Sequence, residues 1–279
     1  MINLNGSLLP NAQNLFKSGN RAFLYGDQLF ETLRFQDGKL MFWEDHYFRI
    51  MGGACMLRME IPQYLNIEFL ENEIIKTLKA SNLFKYDSRA RLSFYRSDGG
   101  FYLPTNRSLQ YLIEVDKLNE KSLCFNNKGL IIDVFHDHLK PSHTLSNLKG
   151  GNSLISVLSS IFANENDLDE AIILNSESNI CETTASNVFI VTDKHLITPP
   201  ISSGCVNGII RKQIIENASL WGYTIKEKNI KSFELIKADE VFLTNSIKWI
   251  QWVGSYKKRT YTNDISSDLF KKLQMLILD

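Results

Sequence analysis

The spacing of apolar residues predicts two helices in the first third of the chain. Within residues 66–83, apolar side chains recur three and four positions apart, and similar spacing runs from residue 45 to residue 59. One face of a helix has this period, so we expect both segments to be helices that turn an apolar face toward a core.

β-Branched and aromatic residues predict strands on either side of these helices. The runs 24–35 and 38–43 flank an Asp-Gly turn signal, which favours a strand hairpin. The runs 89–96 and 109–115 have the same character, and a loop containing glycine and proline separates them. We therefore expect a strand-rich N-terminal domain with two covering helices.

A polar stretch after residue 115 interrupts the periodicity and is the predicted domain boundary. We expect an N-terminal α/β domain at 1–116, a linker at 117–128 and a C-terminal domain at 129–279. The patterns in the C-terminal domain predict strands at 129–135, 170–175, 186–191 and 238–245, and helices at 154–166, 207–222 and 266–278.

Composition restricts the class of protein. The 279 residues are 44% hydrophobic and 22% charged, which excludes a disordered or collagen-like chain. Thirty-one basic and thirty-one acidic side chains balance to a formal charge of zero. Because no net charge attracts the chain to nucleic acid or to an anionic membrane, we expect a small-molecule partner, no nucleic acid and no membrane association.

Cysteines and the N-terminus indicate a compartment. The four cysteines are far apart and contain no CxxC pair, which fits a reducing environment. The first residues lack a basic stretch followed by an apolar one, and no apolar run approaches the roughly 18 residues of a membrane span. The expected localisation is cytoplasmic.

Several common sites are missing from the sequence. It contains no GxGxxG after a strand, no GxxxxGK[ST] and no GxSxG. His136 and His138 are two positions apart with no third ligand near them in sequence, so we interpret them as polar strand residues and expect no metal site.

Four collinear segments nevertheless resemble the class IV pyridoxal-phosphate enzymes, which include branched-chain and D-amino-acid aminotransferases and aminodeoxychorismate lyase. The segments are YGDQLFETLR with EDHYFRI, LKGGN, DEAIILN with CETTASNVFIV, and TPPISSGCVNGIIR with VFLTNSI. The resemblance implies a mixed α/β (α+β) fold of the two-domain D-amino-acid/branched-chain aminotransferase type, with an N-terminal α/β sandwich and a C-terminal pseudo-barrel. It also implies a homodimer with pyridoxal 5'-phosphate between the two domains.

The same resemblance assigns the central chemistry to two residues. Lys149 stands where this family binds the cofactor covalently, and a primary amine can afterwards act as general base and acid at the substrate carbon. Glu182 resembles the carboxylate that faces the pyridine nitrogen and keeps it protonated. Against these roles stand the simpler interpretations of a solvated loop lysine and a surface strand glutamate.

The resemblance also implies a group of phosphate-binding residues. Arg49 can make a bidentate contact that a lysine could not reproduce. Gly208, Ile209 and Ile210 open a predicted helix, where backbone amides and the helix dipole suit an anion. Ile210 departs from the threonine that the family often has there, which removes one possible hydroxyl contact. Ser246 resembles the hydroxyl residue that completes the phosphate site.

Details of the motifs favour the lyase branch of the family. Ser153 follows Asn152 where branched-chain aminotransferases have an aromatic residue, and SDGGFYLP lacks the Arg-x-His pair of the D-amino-acid enzymes. The run GCVNGIIR is lyase-like. We therefore expect a 4-amino-4-deoxychorismate lyase of folate biosynthesis, which releases pyruvate and 4-aminobenzoate. A branched-chain or D-amino-acid aminotransferase of amino-acid metabolism and a non-catalytic paralogue remain the alternatives.

Substrate recognition is the least defined part of this prediction. The lyase pattern has an arginine soon after the double glycine, whereas this chain has Phe101 and Tyr102. Arg91 and Arg96 are the candidate carboxylate-binding residues, and their spacing places them on opposite faces of a strand. Asn245, which resembles an asparagine of the lyases, is the third expected substrate-binding residue.

Overall fold

The computed structural model describes residues 1–10, 15–119 and 123–277. The described residues belong to two compact units: Met1–Leu123 with Lys149–Asn152, and Cys124–Leu148 with Ser153–Asp279. Residues 120–122 of the predicted linker, residues 11–14 of the predicted N-terminal domain and residue 278 of the last predicted helix lie outside the described residues.

The first unit forms one antiparallel sheet with three helices. Along its described residues the elements are β1 (Ile2–Leu4), β2 (Ser7–Leu9), α1 (Arg21–Tyr25), β3 (Gln28–Gln36), β4 (Lys39–Leu40), α2 (Trp43–Met56), α3 (Ile67–Ala80), β5 (Ser88–Arg96) and β6 (Leu109–Lys117). The strand order is β2-β1-β6-β5-β3-β4, and every neighbouring pair is antiparallel.

The two predicted helices of this unit are confirmed, and capping explains where α3 begins. The side chain of Asn66 accepts a hydrogen bond from the backbone N–H of Phe69, which satisfies one free amide of the first turn. Leu70, Ile74 and Leu78 then lie on one face and are fully buried. Burial of each such side chain stabilises the fold by about 2 kcal/mol, so this face holds the helix on the sheet.

The predicted hairpin is confirmed with shorter arms than expected. Asn20 caps α1 and Gly26 ends it in the left-handed region, so residues 24 and 25 are helical rather than extended. At the other end, Phe42 has a φ of 52° and the chain turns directly into α2. Met41 and Trp43 are buried but lie outside the strand, which is why the sequence pattern alone placed this segment in it.

The second unit is a larger, mixed sheet with four helices. Its described elements are β7 (Leu130–Lys140), α4 (Leu154–Glu165), β8 (Glu170–Asn175), β9 (Ile180–Thr183), β10 (Asn187–Thr192), β11 (His195–Thr198), α5 (Ile209–Asn217), β12 (Thr224–Glu227), α6 (Ser232–Lys237), β13 (Glu240–Asn245), β14 (Trp249–Tyr256), β15 (Arg259–Thr260) and α7 (Asp264–Met275). The order is β12-β11-β10-β13-β14-β7-β8-β9, and β15 pairs with β14.

The sheet of the second unit curls. Strand β9 ends the sheet order, yet its last residue donates a backbone hydrogen bond of 2.8 Å to the carbonyl of Ser186, immediately before β10. The curl encloses buried aliphatic residues from β7, β8, β9, β10, β13 and β14. The expected mixed α/β architecture is confirmed, and the curl corresponds to the expected C-terminal pseudo-barrel. Helix α5 ends at Asn217 rather than at residue 222, and β9, β11, β12, α6, β14 and β15 were not expected.

Candidate active site

Lys149 lies on a short segment that pairs with the start of β3. The backbone N–H of Phe30 donates to the carbonyl of Lys149 at 2.8 Å, and Gly151 donates to the carbonyl of Gln28 at 3.0 Å. A Cβ at Gly151 would lie 2.5 Å from Cγ of Gln28. Glycine therefore permits the close approach that fixes the backbone of Lys149.

The side chains of Lys149 and Arg91 meet at one aromatic ring. Nζ of Lys149 lies 4.7 Å from the ring centroid of Phe30, and Cζ of Arg91 lies 3.7 Å from the same centroid. Both distances are within the range of cation–π attraction. Burial lowers the pKa of Arg91 from its ordinary value, and the nearby charge of Arg89 lowers it further.

A buried ionic cluster lies on the other face of β3. The carboxylate of Glu31 accepts two hydrogen bonds from Arg49, one of 2.7 Å from Nε, and contacts Nδ1 of His46 at 2.6 Å. Burial alone would raise the pKa of Glu31, but the charges of Arg49 and His46 lower it to about 2. Burial lowers the pKa of His46, although the adjacent carboxylate of Glu31 acts in the opposite direction.

Glu182 is the second buried carboxylate with a cationic partner. Its Oε1 accepts from Nζ of Lys140, and its Oε2 accepts from the backbone N–H of Val206 at 2.9 Å. The pairing of β8 with β9 shifts register between Ile173 and Leu174, which pair with Glu182 and Ile180. Such a bulge changes the direction of a side chain, and here it lies directly beside Glu182.

A bulge also positions the partner of Glu182. Strand β7 pairs with β8 up to Phe135 and resumes pairing only at Lys140, opposite Asn175. The residues between, which include His136 and His138, are exposed. Among the described residues, no group of three or more His, Cys, Asp or Glu side chains could hold a metal ion.

The N-terminus of α5 packs closely on β10. Gly208 is the residue before the helix, and a Cβ on it would lie 1.9 Å from Oδ1 of Asn187. Asn187 in turn donates to the carbonyl of Val206 at 2.8 Å, which fixes the loop before the helix. The side chains of Ile209 and Ile210 are buried. Their backbone N–H groups belong to the first turn of α5, where no helix carbonyl accepts from them, so these groups can donate to an anion.

Asn245 is the last residue of β13, and Ser246 follows it in the turn before β14. Oδ1 of Asn245 accepts from the backbone N–H groups of Ile247 and Lys248, and its Nδ2 donates to Oγ of Ser186 at 3.0 Å. The observed contacts of Asn245 therefore stabilise this turn, which carries Ser246.

Arg96 occupies a different environment from Arg91. Its guanidinium donates twice to Asp27 and also to the carbonyls of Leu57 and Arg58. Asp27 also pairs with the buried Arg21, which donates to the carbonyl of Phe101. These contacts fix the loop that carries Phe101.

Sequence reasoning missed Phe30, Glu31 and Lys140 as site residues. Glu31 could have been found, since it is a charged residue among the buried Leu29, Leu33 and Phe35, which share its strand face. Lys140 follows a polar run and gave no such signal.

Comparison with known proteins identifies the family. The model of the amino-transferase class IV family matches residues 28–256, which is most of the chain. The chain belongs to this family. Enzymes of the family use pyridoxal phosphate, which is therefore the cofactor of this class IV aminotransferase family member, and its relatives are aminotransferases or lyases.

Similar proteins carry both activity names. A putative branched-chain-amino-acid aminotransferase from Methanocaldococcus jannaschii is 29% identical and covers 98% of this chain and 93% of its own length. An aminodeoxychorismate lyase from Vibrio harveyi is 25% identical over 82% of this chain and 83% of its own.

Solved structures share the fold. The branched-chain aminotransferase from Thermoproteus uzoniensis has a TM-score of 0.88 at 24% identity and covers 99% of this chain and 94% of its own. The enzyme from Thermobaculum terrenum, solved in its pyridoxal-phosphate form, has a TM-score of 0.85 at 21% identity and covers 99% of this chain and 93% of its own.

The residues present fit this cofactor. A buried carboxylate with lone pairs beyond its two observed partners suits a protonated pyridine nitrogen. Gly208 packs too closely on Asn187 to carry a side chain, so no side chain caps the start of α5. The backbone amides of an uncapped helix N-terminus suit a phosphate.

Proposed function

We propose that this member of the class IV family is a 4-amino-4-deoxychorismate lyase that releases pyruvate and 4-aminobenzoate. The polar strand face beside Lys149 carries the proposal. Arg91 pairs across strands with Thr32, and Phe30 pairs with Ser93, so polar side chains surround the ring that contacts Lys149. An anionic substrate suits this face better than a branched aliphatic side chain does.

Each residue has a defined task in this proposal. When bound, pyridoxal phosphate supplies an electron sink for the substrate carbon. Nζ of Lys149 would hold the cofactor and would take the proton from the carbon that bears the substrate amine. Glu182 holds a proton at the pyridine nitrogen, with Lys140 and the amide of Val206 fixing its orientation.

The remaining residues bind and orient. Arg49 and the first amides of α5, from Gly208 to Ile210, bind the phosphate group together with the hydroxyl of Ser246. We assign the substrate carboxylate to Arg91. Arg96 and Asn245, whose observed contacts are structural, would act on substrate only through the loop and the turn that they stabilise.

Release of 4-aminobenzoate without any keto acid is the experiment that tests the activity. The holoenzyme is mixed with 4-amino-4-deoxychorismate alone, and 4-aminobenzoate is followed by its fluorescence. Many turnovers per active site are expected for the wild type and none for Lys149→Ala. Absence of 4-aminobenzoate with folded, cofactor-loaded enzyme would refute the lyase assignment.

An aminotransferase is the second candidate, and the near full-length match to the Methanocaldococcus jannaschii protein favours it. It would convert the loaded enzyme to the pyridoxamine-phosphate form with an amino acid donor and would require a keto acid for further turnover. A non-catalytic paralogue would bind no cofactor at Lys149, which borohydride reduction and peptide mapping would reveal.

Assembly and compartment complete the proposal. Helix α4 exposes an apolar stripe at Leu154, Val157, Leu158 and Ile161, and we propose that a second copy of the chain covers it in a homodimer. Light scattering of the wild type and of Val157→Glu tests this, and we expect the variant to be monomeric.

The four cysteines are free thiols, which supports a cytoplasmic location. No helix within the described ranges has both the length and the apolar character needed to cross a bilayer.

A further inference from the structure

A single peptide group lies between the side chains of Asn147 and Glu182. Its carbonyl belongs to Cys205 and accepts a hydrogen bond of 2.7 Å from Nδ2 of Asn147. Its N–H belongs to Val206 and donates to Oε2 of Glu182 at 2.9 Å. A peptide group is planar, so its carbonyl and its N–H can turn only together. Asn147 therefore fixes the amide that contacts Glu182.

Asn147 holds the loop before α5, residues 199–207, at a second point as well. The same Nδ2 donates to the carbonyl of Ile201 at 2.8 Å, so both hydrogens of this amide group are used on one loop. The chain just before Asn147 runs directly against the loop, because a Cβ at Gly204 would lie 2.7 Å from the carbonyl oxygen of Pro141. Two hydrogen bonds and a close backbone contact thus set the position of the loop.

Other side chains hold neighbouring peptide groups of this loop. Nδ2 of Asn187 donates to the carbonyl of Val206 at 2.8 Å. Nδ2 of Asn175 donates to the carbonyl of Ser203 at 3.1 Å. These bonds act before and after the peptide group that contacts the carboxylate, whereas Asn147 acts on that group itself.

The hydrogen bonds from Asn147 to Glu182 form a chain in the protein interior. Cys205 and Glu182 are both buried. In such surroundings a hydrogen bond is stronger than in water, and successive bonds polarise one another. A donor on the carbonyl oxygen draws electron density from the N–H of the same peptide group. Asn147 therefore makes the N–H of Val206 a stronger donor to the carboxylate.

Both oxygens of Glu182 depend on the segment 140–147. Lys140 at the end of β7 donates directly to Oε1. Asn147 acts on Oε2 through the peptide group. The segment then leads into Lys149, two residues after Asn147. One short stretch of chain thus sets the orientation of the carboxylate.

We propose that Asn147 is a positioning residue for Glu182: through the peptide group that it holds, it fixes Oε2 of the carboxylate and strengthens the backbone hydrogen bond to it. Without Asn147 the peptide group can turn and withdraw its N–H from Glu182. The consequence for turnover rests on the proposed function, in which Glu182 holds a proton at the pyridine nitrogen. The hydrogen-bond chain itself is a property of the apoprotein.

Hydrogen exchange of the Val206 amide measures this chain in the apoprotein. The protein is labelled with ¹⁵N-valine, and the Val206 signal is assigned by its loss in Val206→Ile. The test variant is Asn147→Ala. Asn126→Ala is the matched control, because Asn126 is also half-buried and its Nδ2 also donates to two carbonyls, at 2.8 and 3.1 Å. Those carbonyls belong to Lys128 and Trp252.

Loss of Asn147 should expose the amide. In Asn147→Ala we expect the N–H of Val206 to exchange about tenfold faster than in wild type, because two hydrogen bonds that hold the loop are gone. Asn126→Ala should leave the exchange rate unchanged. An unchanged rate in Asn147→Ala, with the variant folded by circular dichroism, would overturn the proposal. If Asn147→Ala does not fold, Asn147→Leu fills the space without a donor and provides the same comparison.

The pyridine nitrogen distinguishes a positioning role from a merely structural one. In enzyme loaded with ring-¹⁵N pyridoxal phosphate, the nitrogen signal should move toward the unprotonated position in Asn147→Ala. It should stay at the wild-type position in Asn126→Ala, even if the two variants have the same Tm. A signal that shifts in Glu182→Gln but not in Asn147→Ala would contradict the proposal.

Release of 4-aminobenzoate is measured separately, so the two proposals can fail independently. An inactive wild type, with faster exchange and a shifted nitrogen signal in Asn147→Ala, would refute the lyase and keep the role of Asn147. An active lyase with unchanged exchange in Asn147→Ala would do the reverse.

Discussion

Two buried glutamates, Glu31 in the first unit and Glu182 in the second, differ in how completely the protein satisfies them. Glu31 is 1% exposed and binds Arg49 through both oxygens and His46 through one of them. Glu182 is 7% exposed and has one lysine and one backbone amide as its observed partners.

This difference separates a structural carboxylate from a chemical one. A carboxylate has about four lone-pair directions, and Glu31 uses three on fixed protein groups. Glu182 uses two, and its lysine partner is a point charge rather than a planar fork. Glu31 therefore holds Arg49 in place, whereas Glu182 retains the capacity to bind a further donor.

The largest effect should come from Glu182→Gln. An amide cannot hold a proton at the pyridine nitrogen, so we expect the rate to fall about 10³-fold. Steady-state kinetics with saturating cofactor measure this. The exposed Glu177→Gln, on the turn before β9, is the matched control and should retain wild-type rates. A rate decrease of less than tenfold for Glu182→Gln would contradict a chemical role for Glu182.

Glu31→Gln should act on stability instead. Removal of the carboxylate leaves the guanidinium of Arg49 without its principal anion, so the free energy of unfolding should decrease by about 3 kcal/mol. Urea denaturation measures this. Glu60→Gln breaks an exposed pair with Arg107 and should cost less than about 1 kcal/mol. Equal losses for the two variants would contradict the structural role of Glu31.

Acid should destabilise the protein through the same residue. The pKa of Glu31 is lowered from 4.5 to about 2, so its ionised form stabilises the fold above pH 4.5 and this contribution is lost as the pH falls toward 2. Between pH 7 and pH 3 the loss from Glu31 should be about 2 kcal/mol. His46, whose pKa is lowered by burial, adds a loss in the same direction as the pH falls through 6.5. Chemical denaturation at each pH should give a flatter profile for Glu31→Gln than for wild type, and parallel profiles would be the contrary result.

Lys140→Met should have the smallest effect and should depend on the cofactor. The apoprotein loses the cation that balances Glu182, at a cost of about 1.5 kcal/mol. A protonated pyridine nitrogen can replace that cation, so added pyridoxal phosphate should raise the Tm of this variant more than that of wild type. Lys231→Met, an exposed lysine that donates to the carbonyl of Glu177, is the control. An equal or smaller Tm increase in Lys140→Met would show that Lys140 does not balance Glu182.

The sequence patterns predicted long, periodic elements well and short ones poorly. Helix α3 and strands β5 and β6 were predicted because each has a continuous apolar face. Strands β11 and β12 contain four residues each, which is too short for a period to be recognised. Helix α1 contains five residues and depends on a cap at Asn20 and a left-handed Gly26, neither of which changes the apolar pattern.

The candidate site was predicted by resemblance rather than by periodicity. Motifs pointed to Lys149 and Glu182, but no motif indicated that Lys140, which follows a bulge, pairs with Glu182 or that Phe30 contacts two cations. These contacts depend on strand register, which one sequence does not reveal. The alternation of β3 did contain one usable signal, since Glu31 interrupts an otherwise apolar face.

The protonation state of the cofactor nitrogen is the most direct test of the contrast between the two glutamates. Enzyme reconstituted with pyridoxal phosphate labelled with ¹⁵N in the ring reports this state through its nitrogen chemical shift. We predict a protonated nitrogen in wild type and in Glu31→Gln, and an unprotonated one in Glu182→Gln. A nitrogen that stays protonated in Glu182→Gln, or loses its proton in Glu31→Gln, would contradict the account.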